Sequence, residues 1–165
     1  MRTSARTIAV FATTMVVGGV VLLLPPVQLA VMTPWSETIT AIAAWLMRAV
    51  GLPVDVAGHV LVTADRSFAV SVENECNGAW AHLILLSGLL AYPATMRRRV
   101  VGGLLVQAAL FGINVLRVAS LMLIGMCAPA LLRPAHVYVW QFLIIGCALM
   151  LFWMWAAHEP ALDAR

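Results

Sequence analysis

The chain contains no lysine, and charged residues of either sign make up only 10% of its 165 positions. A soluble domain of this size carries roughly a quarter charged residues, so this scarcity excludes a fold solvated mainly by water. With 63% hydrophobic residues and a mean hydropathy of +0.98, lipid must solvate most of the surface. One compact helical membrane domain is the expected size class. Without lysine, the formal net charge of +3 rests on arginine. Arginine gathered on one side of a bilayer is explained by topology, with no call for nucleic acid as a partner. Cysteine is scarce too. Cys76, Cys127 and Cys147 form no CxxC pair, which excludes a disulfide framework and zinc-site spacing. A bridge between Cys76 and Cys127 stays open if both lie on an oxidising face. No metal, nucleotide or redox-cofactor motif is visible, so no cofactor is expected.

What is present is apolar and long. A transmembrane helix needs about 20 apolar residues, and four segments come close: 7–24, 78–93, 100–124 and 136–157. The first resembles a signal peptide, with Arg2 and Arg6 ahead of an apolar core. Its core is long and no small-residue cleavage site follows, so an uncleaved anchor is expected. In a four-helix count Arg2, Arg6, Arg97, Arg98, Arg99 and Arg165 share one side, against Arg48, Arg66 and Arg133 on the other. The positive-inside rule makes the first side cytoplasmic. Both termini are then inside, and residues 28–77 form an extracytoplasmic cap.

Within the cap, "PWSETITAIAAWLMRAVG" has Pro34 at a first helical turn and Gly51 as a stop. Ile39, Ile42, Leu46 and Val50 recur at helical spacing, which predicts an amphipathic helix lying on the outer membrane surface. A fifth span is the alternative, but it puts Cys76 and the arginine triplet on the wrong sides. The runs "HVLVT" and "SFAVSV" alternate with period two around residues 64–66, predicting a short β-hairpin that leads to Cys76. The expected fold class is an all-α integral membrane protein of about four spans, capped by that helix and hairpin.

Arg117 is the plainest anomaly, because it sits inside the third apolar span. At mid-bilayer an arginine costs about 2.5–3.5 kcal/mol on insertion scales, so it should face protein or water. Asn114 and Gln107 precede it on what 100° per residue makes one polar stripe. The plain alternative is an arginine snorkelling to the outer interface. His136, after Pro134, opens the fourth span from outside, and Cys76 opens the second from outside. Three spans thus bring a thiol, a guanidinium and an imidazole to one depth. His59, His82 and His158 lack that convergence. A lone interfacial histidine is more often structural than catalytic; the convergence is what singles out His136.

The chemistry of such a trio is coherent. The thiolate is the nucleophile, and a helix start favours it. A histidine can take the proton and later protonate a leaving amine, and a fixed arginine can stabilise an oxyanion. Glu73 and Glu75 oppose thiolate formation. They are better suited to orienting His136 or Arg117 or to contacting substrate. Cys127 reads as a loop residue and Cys147 as a small apolar residue buried in the fourth helix.

The stretch "ENECNGAWAHLILLSGLLAYP", the "RRR" after it, "NVLRVASL", and His136 before the last span together resemble the exosortase/archaeosortase family. The likeness is strong over the last hundred residues or so and extends to the amino-terminal part only in hydropathy. It implies a catalytic Cys76–Arg117–His136 unit on the extracytoplasmic face. Asn77, Gly78, Asn114, Gln107, Glu73 and Glu75 are the candidate supporting or substrate-binding residues. It also implies partners: exported proteins ending in a PEP-CTERM-like sorting signal of short motif, transmembrane helix and basic tail. These would be cut through a thioester and passed to an acceptor in exopolysaccharide or lipid-linked systems. The chain lacks the additional amino-terminal spans of longer exosortases and is nearer in size to compact members such as type H. Two rivals remain open: a membrane thiol oxidoreductase using Cys76 and Cys127, and a non-enzymatic transport or assembly subunit.

Overall fold

Two consecutive prolines set the first boundary. Helix α1 (Arg2–Leu23) stops before Pro25 and Pro26, and Leu24 is extended, as the residue before a proline prefers. Proline is tolerated in a first helical turn, so the chain resumes at once as α2 (Pro25–Val27). A π turn (Gln28–Met32) leads into α3 (Thr33–Ala49), which ends at Gly51 with φ of 82°. Three short strands follow: β1 (Val54–Ala57), β2 (Val60–Thr63) and β3 (Ala69–Ser71). Then come α4 (Ala79–Ala91), α5 (Met96–Cys127) and α6 (Pro129–Pro134). A second π turn (Ala135–Val139) joins α6 to α7 (Trp140–Ala157). This computed structural model describes residues 2–74 and 76–157, with side chains from residue 5 onward; Glu75, His158 and Arg165 lie outside the described residues.

The helices alternate in direction. Gly18 and Gly19 of α1 face Leu83 and Trp80 of α4, while Thr7 and Ile8 share a cleft with Ala91, Tyr92 and Phe152. The Arg98 guanidinium of α5 lies 4.8 Å from the centroid of the Trp155 ring of α7. The start of α1, the end of α4, the start of α5 and the end of α7 therefore share one end of the bundle. At that end Arg98 donates to the carbonyls of Trp155 and Ala156, and Arg99 to that of Tyr92 at 3.1 Å. These are the orphan carbonyls of two helix C-termini, so the two arginines cap helices.

Three helices are long and apolar enough to cross a membrane: Ala5–Leu23, Met96–Cys127 and Pro129–Ala157. The expected second span, 78–93, is instead the 13-residue α4. At 1.5 Å per residue it covers about 20 Å of a roughly 30 Å hydrocarbon core. The third and fourth spans are longer than expected, and α3 is not among the candidate spans.

The cap differs from expectation in two ways. The predicted hairpin is present as β2–β3, pairing Val60 with Ser71, Leu61 with Val70 and Val62 with Ala69, but β1 adds a third antiparallel strand. In the β2–β3 turn, hydrogen bonds from Thr63 and Ser67 hold the exposed Asp65 carboxyl down at about 2. Helix α3 also packs a second face inward, which the apolar spacing did not pick out. Ile39, Ala43 and Met47 are buried with Ser36, Thr40 and Ala44, whereas Ile42 and Val50 are exposed. Small side chains let α3 approach α5 closely, and that contact outweighs the larger residues chosen from the pattern.

Two apolar cores result. One joins α3 and the sheet to the second half of α5 through Ile39, Met47, Leu61, Val72, Val118 and Met122. The other joins α4, the first half of α5 and α7 through Leu85, Leu89, Leu110, Ile144 and Trp155. Gly125 of α5 provides the slot for the Phe68 ring, which occupies the space a Cβ would need. Gly125→Ala is therefore expected to destabilise the cap by roughly 1–3 kcal/mol, as overpacking does. Thermal unfolding in detergent measures this, and adding Phe68→Leu should recover part of the loss.

Candidate active site

The turn that carries Cys76 is fixed from three sides. Val72 N–H donates to the His59 carbonyl at 2.9 Å, extending the ladder, and Cys76 N–H donates to the Glu73 carbonyl at 2.8 Å, closing the turn. Asn77 is wholly buried. Its Oδ1 accepts from Ala79 N–H at 3.0 Å, and its Nδ2 donates to Ser36 Oγ at 3.2 Å and Asn74 Oδ1 at 3.3 Å. Its carbonyl accepts from Trp35 Nε1 at 3.0 Å. The Trp35 ring packs edge-on against His82 and Phe111. Asn77 thus ties the turn to α3, a positioning role. Trp35 and Ser36 complete that tie and carry no signal in the sequence that would have selected them.

Gly78 comes next with φ of 76°, and α4 begins at Ala79. Cys76 therefore precedes the helix by three residues and does not sit in its first turn. The helix-terminus effect, confined to that turn, acts on the thiol less directly than expected. Gly78 serves a second purpose: a Cβ there would stand 2.9 Å from Asn114 Cγ. The Asn-Gly after the cysteine and the Asn-x-x-Arg of α5 are thus one packing unit. Asn114 is wholly buried, and neither its Oδ1 nor its Nδ2 has a hydrogen-bond partner among the described residues.

Arg117, one turn beyond Asn114, is 2% exposed. A snorkelling arginine would hold its head in water; this one is enclosed where the two cores meet. His136 lies in the π turn of the kinked α6–α7 helix, just after Pro134. Single π turns recur at functional sites because they re-aim a side chain. Here His136 Nε2 lies 2.8 Å from Cys76 Sγ. Cys76, Arg117 and His136 line one cavity of about 210 Å³ with Val118, Leu121, Leu132 and residues 69–72 of the sheet.

The other candidates lie elsewhere. Gln107 Oε1 sits 2.5 Å from His82 Nδ1, and its Nε2 donates to the His82 carbonyl at 3.1 Å. It joins α5 to α4 beside a separate apolar groove of about 730 Å³. Ten residues from Arg117, it stands about 15 Å along the helix. The exposed Glu73 accepts from Ser71 Oγ at 2.5 Å and lies 3.7 Å from His59 Nε2, so its partners are in the sheet and not His136 or Arg117. Cys127 is the exposed last residue of α5, not a loop residue, and Cys147 is half-buried on α7. No disulfide joins the described cysteines, and Cys127 does not line the cavity. No group of three or more His, Cys, Asp or Glu suited to a metal ion occurs among the described residues.

The sequence model of the transmembrane exosortase family (Exosortase_EpsH) matches residues 1–158, and the chain belongs to that family. At family level this makes it a membrane transpeptidase or protease. No curated protein and no solved structure gives a significant match.

Gly78→Ala tests the turn. An alanine forced to a left-handed φ costs about 1–2 kcal/mol, and its Cβ also meets Asn114. A lowered unfolding midpoint is expected, and Asn114→Ala in the same chain should restore only the steric part.

Proposed function

We propose that the protein cleaves carboxy-terminal sorting signals of exported proteins and transfers them to an acceptor, with Cys76 as nucleophile. The observation that carries this reading is the 2.8 Å approach of Cys76 Sγ to His136 Nε2 in a cavity shared with the buried Arg117. His136 takes the thiol proton and the sulfur attacks the substrate carbonyl carbon. The guanidinium of Arg117 donates hydrogen bonds to the oxygen as it becomes an oxyanion, in a site where such bonds are strong. The tetrahedral intermediate collapses with loss of the C–N bond. The proton held on His136 goes to the leaving amine, and the acyl group stays on sulfur as a thioester. An acceptor nucleophile, deprotonated by His136, then displaces the sulfur and regenerates the thiol.

In this reading the site faces the extracytoplasmic side of a bacterial inner membrane, with the arginine-rich end of the bundle in the cytoplasm. The substrate's apolar helix lies among the enzyme's helices and its motif reaches the cavity. The acceptor belongs to exopolysaccharide or lipid-linked chemistry. The position of Cys127 outside the cavity works against a thiol oxidoreductase that needs both cysteines.

Co-expression with a reporter ending in a motif, an apolar helix and a basic tail, read by mass spectrometry, tests the reading. Cys76→Ala should abolish cleavage, and Cys127→Ala should leave it unchanged. Arg117→Lys should lower turnover about 10²–10³-fold, the usual loss for an oxyanion donor, because ammonium cannot reproduce the planar fork. Identical fragment patterns from wild type and Cys76→Ala would refute the proposal.

A further inference from the structure

The parity of the β2–β3 ladder leaves one strand edge open beside the thiol. Val72 N–H donates to His59, and Thr63 N–H donates to the Phe68 carbonyl at 2.9 Å. With Leu61 opposite Val70, residues 68, 70 and 72 direct their backbone groups toward β2. In an antiparallel pair the intervening residues direct theirs the other way. Those are Ala69 and Ser71, and β3 is the outer strand of the sheet. Their outward N–H and C=O groups have no backbone partner among the described residues.

Both residues line the cavity that holds Cys76, Arg117 and His136. Open edges are normally blunted by lysine, proline, charge or a covering element. At three residues β3 is short, which limits pairing with another sheet, but its sequence Ala69-Val70-Ser71 carries no lysine, proline or charge, and both outer residues border the cavity. Ala69 and Ser71 are exposed, so water can serve these groups, and a peptide backbone, which supplies both a donor and an acceptor, can replace it.

We infer that the motif segment of the processed protein docks as an added strand on β3, pairing with Ala69 and Ser71 and presenting its carbonyl to Cys76. This rests on the transpeptidase reading and specifies how substrate is held. Strand addition draws affinity from main-chain bonds and selectivity from alternate side chains. It also fixes the peptide in an extended form at about 4.8 Å from β3. That form exposes the scissile carbonyl, which a helical substrate would keep within its own hydrogen bonds. The signal must therefore leave its apolar helix before it reaches the thiol.

The test compares Ser71→Pro with Ser71→Ala, and Ala69→Pro with wild type, on the same reporter. Proline removes an outward N–H and leaves the β2 ladder intact, as edge strands tolerate. Alanine keeps the N–H but loses the hydroxyl bonded to Glu73. Ser71→Pro should cut the reporter about tenfold more slowly than Ser71→Ala, the worth of one lost hydrogen bond at a desolvated site. Ala69→Pro should slow cutting by a similar factor.

Labelling of Cys76 by iodoacetamide, in a background lacking Cys127 and Cys147, shows that each proline variant keeps its site. Equal cutting by Ser71→Pro and Ser71→Ala, with cleavage still dependent on Cys76, overturns the strand alone. Cleavage independent of Cys76 overturns the transpeptidase reading as well. Where the prolines lose Cys76 labelling, the wild-type protein decides. Peptide chloromethyl ketones spanning the reporter's motif are N-methylated one residue at a time and assayed for labelling of Cys76. Loss at alternate residues supports strand pairing, while loss at every residue or at none overturns it.

Discussion

The guanidinium of Arg117 has to be kept out of both lipid and bulk water, and the fold is arranged around that requirement. Helix α5 is apolar for most of its 32 residues, and a cation on it is costly wherever lipid reaches. Lower along the helix, α4 and α7 cover it; higher up, α3 and the sheet do. Arg117 lies between the two coverings and is 2% exposed. The cap is thus a continuation of the core, extended beyond the helix bundle to enclose the arginine. Arg117 also borders the small cavity it shares with Cys76 and His136.

Enclosure alone would not place a thiol beside the arginine. That depends on the turn between β3 and α4, where Asn77 bonds to α3, to Asn74 and to the first amide of α4. Gly78 lets the chain reverse at φ of 76° while lying directly on Asn114. The distance from Cys76 to α5 is therefore set by a backbone-to-side-chain contact one turn from Arg117. The π turn after Pro134 does the same for His136 from the opposite side. Two members of the trio are held by local irregularities, Cys76 by an Asx-bonded turn and a left-handed glycine and His136 by a widened helical turn, while Arg117 projects from the regular helix α5.

Those irregularities mark the limit of what the sequence discloses. The apolar runs, the arginine distribution and the order of Cys76, Arg117 and His136 were legible because each depends on hydropathy or chain order. The Cys76–His136 approach follows from that order once the helices alternate. The separation of Gln107 from the cavity was not legible because a helical projection records angle and ignores distance along the axis. The inward face of α3 was not legible because the closest packing uses Ala43 and Ala44, which a search for large apolar residues passes over. Strand β1 was missed because "VDVA" is four residues long and three of them are exposed. The partners of Glu73 could not be foreseen, since His59 and Ser71 reach it only through the sheet register.

The two ends of the bundle use positive charge in opposite ways. At one end Arg98 and Arg99 sit on the carbonyl termini of α7 and α4, where the helix dipoles are negative and water is near. Their charge is compensated within the fold, and they hold the helix ends together. At the other end Arg117 is buried, and its Nε has no hydrogen-bond partner among the described residues. Asn114 beside it is similarly unsatisfied. Buried polar atoms left in this state cost free energy, and Arg99 Nε and His82 Nε2 share it among the described residues. What sets Arg117 apart is its place at the cavity beside the thiol, where, in the proposed reaction, a carbonyl oxygen gaining negative charge would meet a donor already in place.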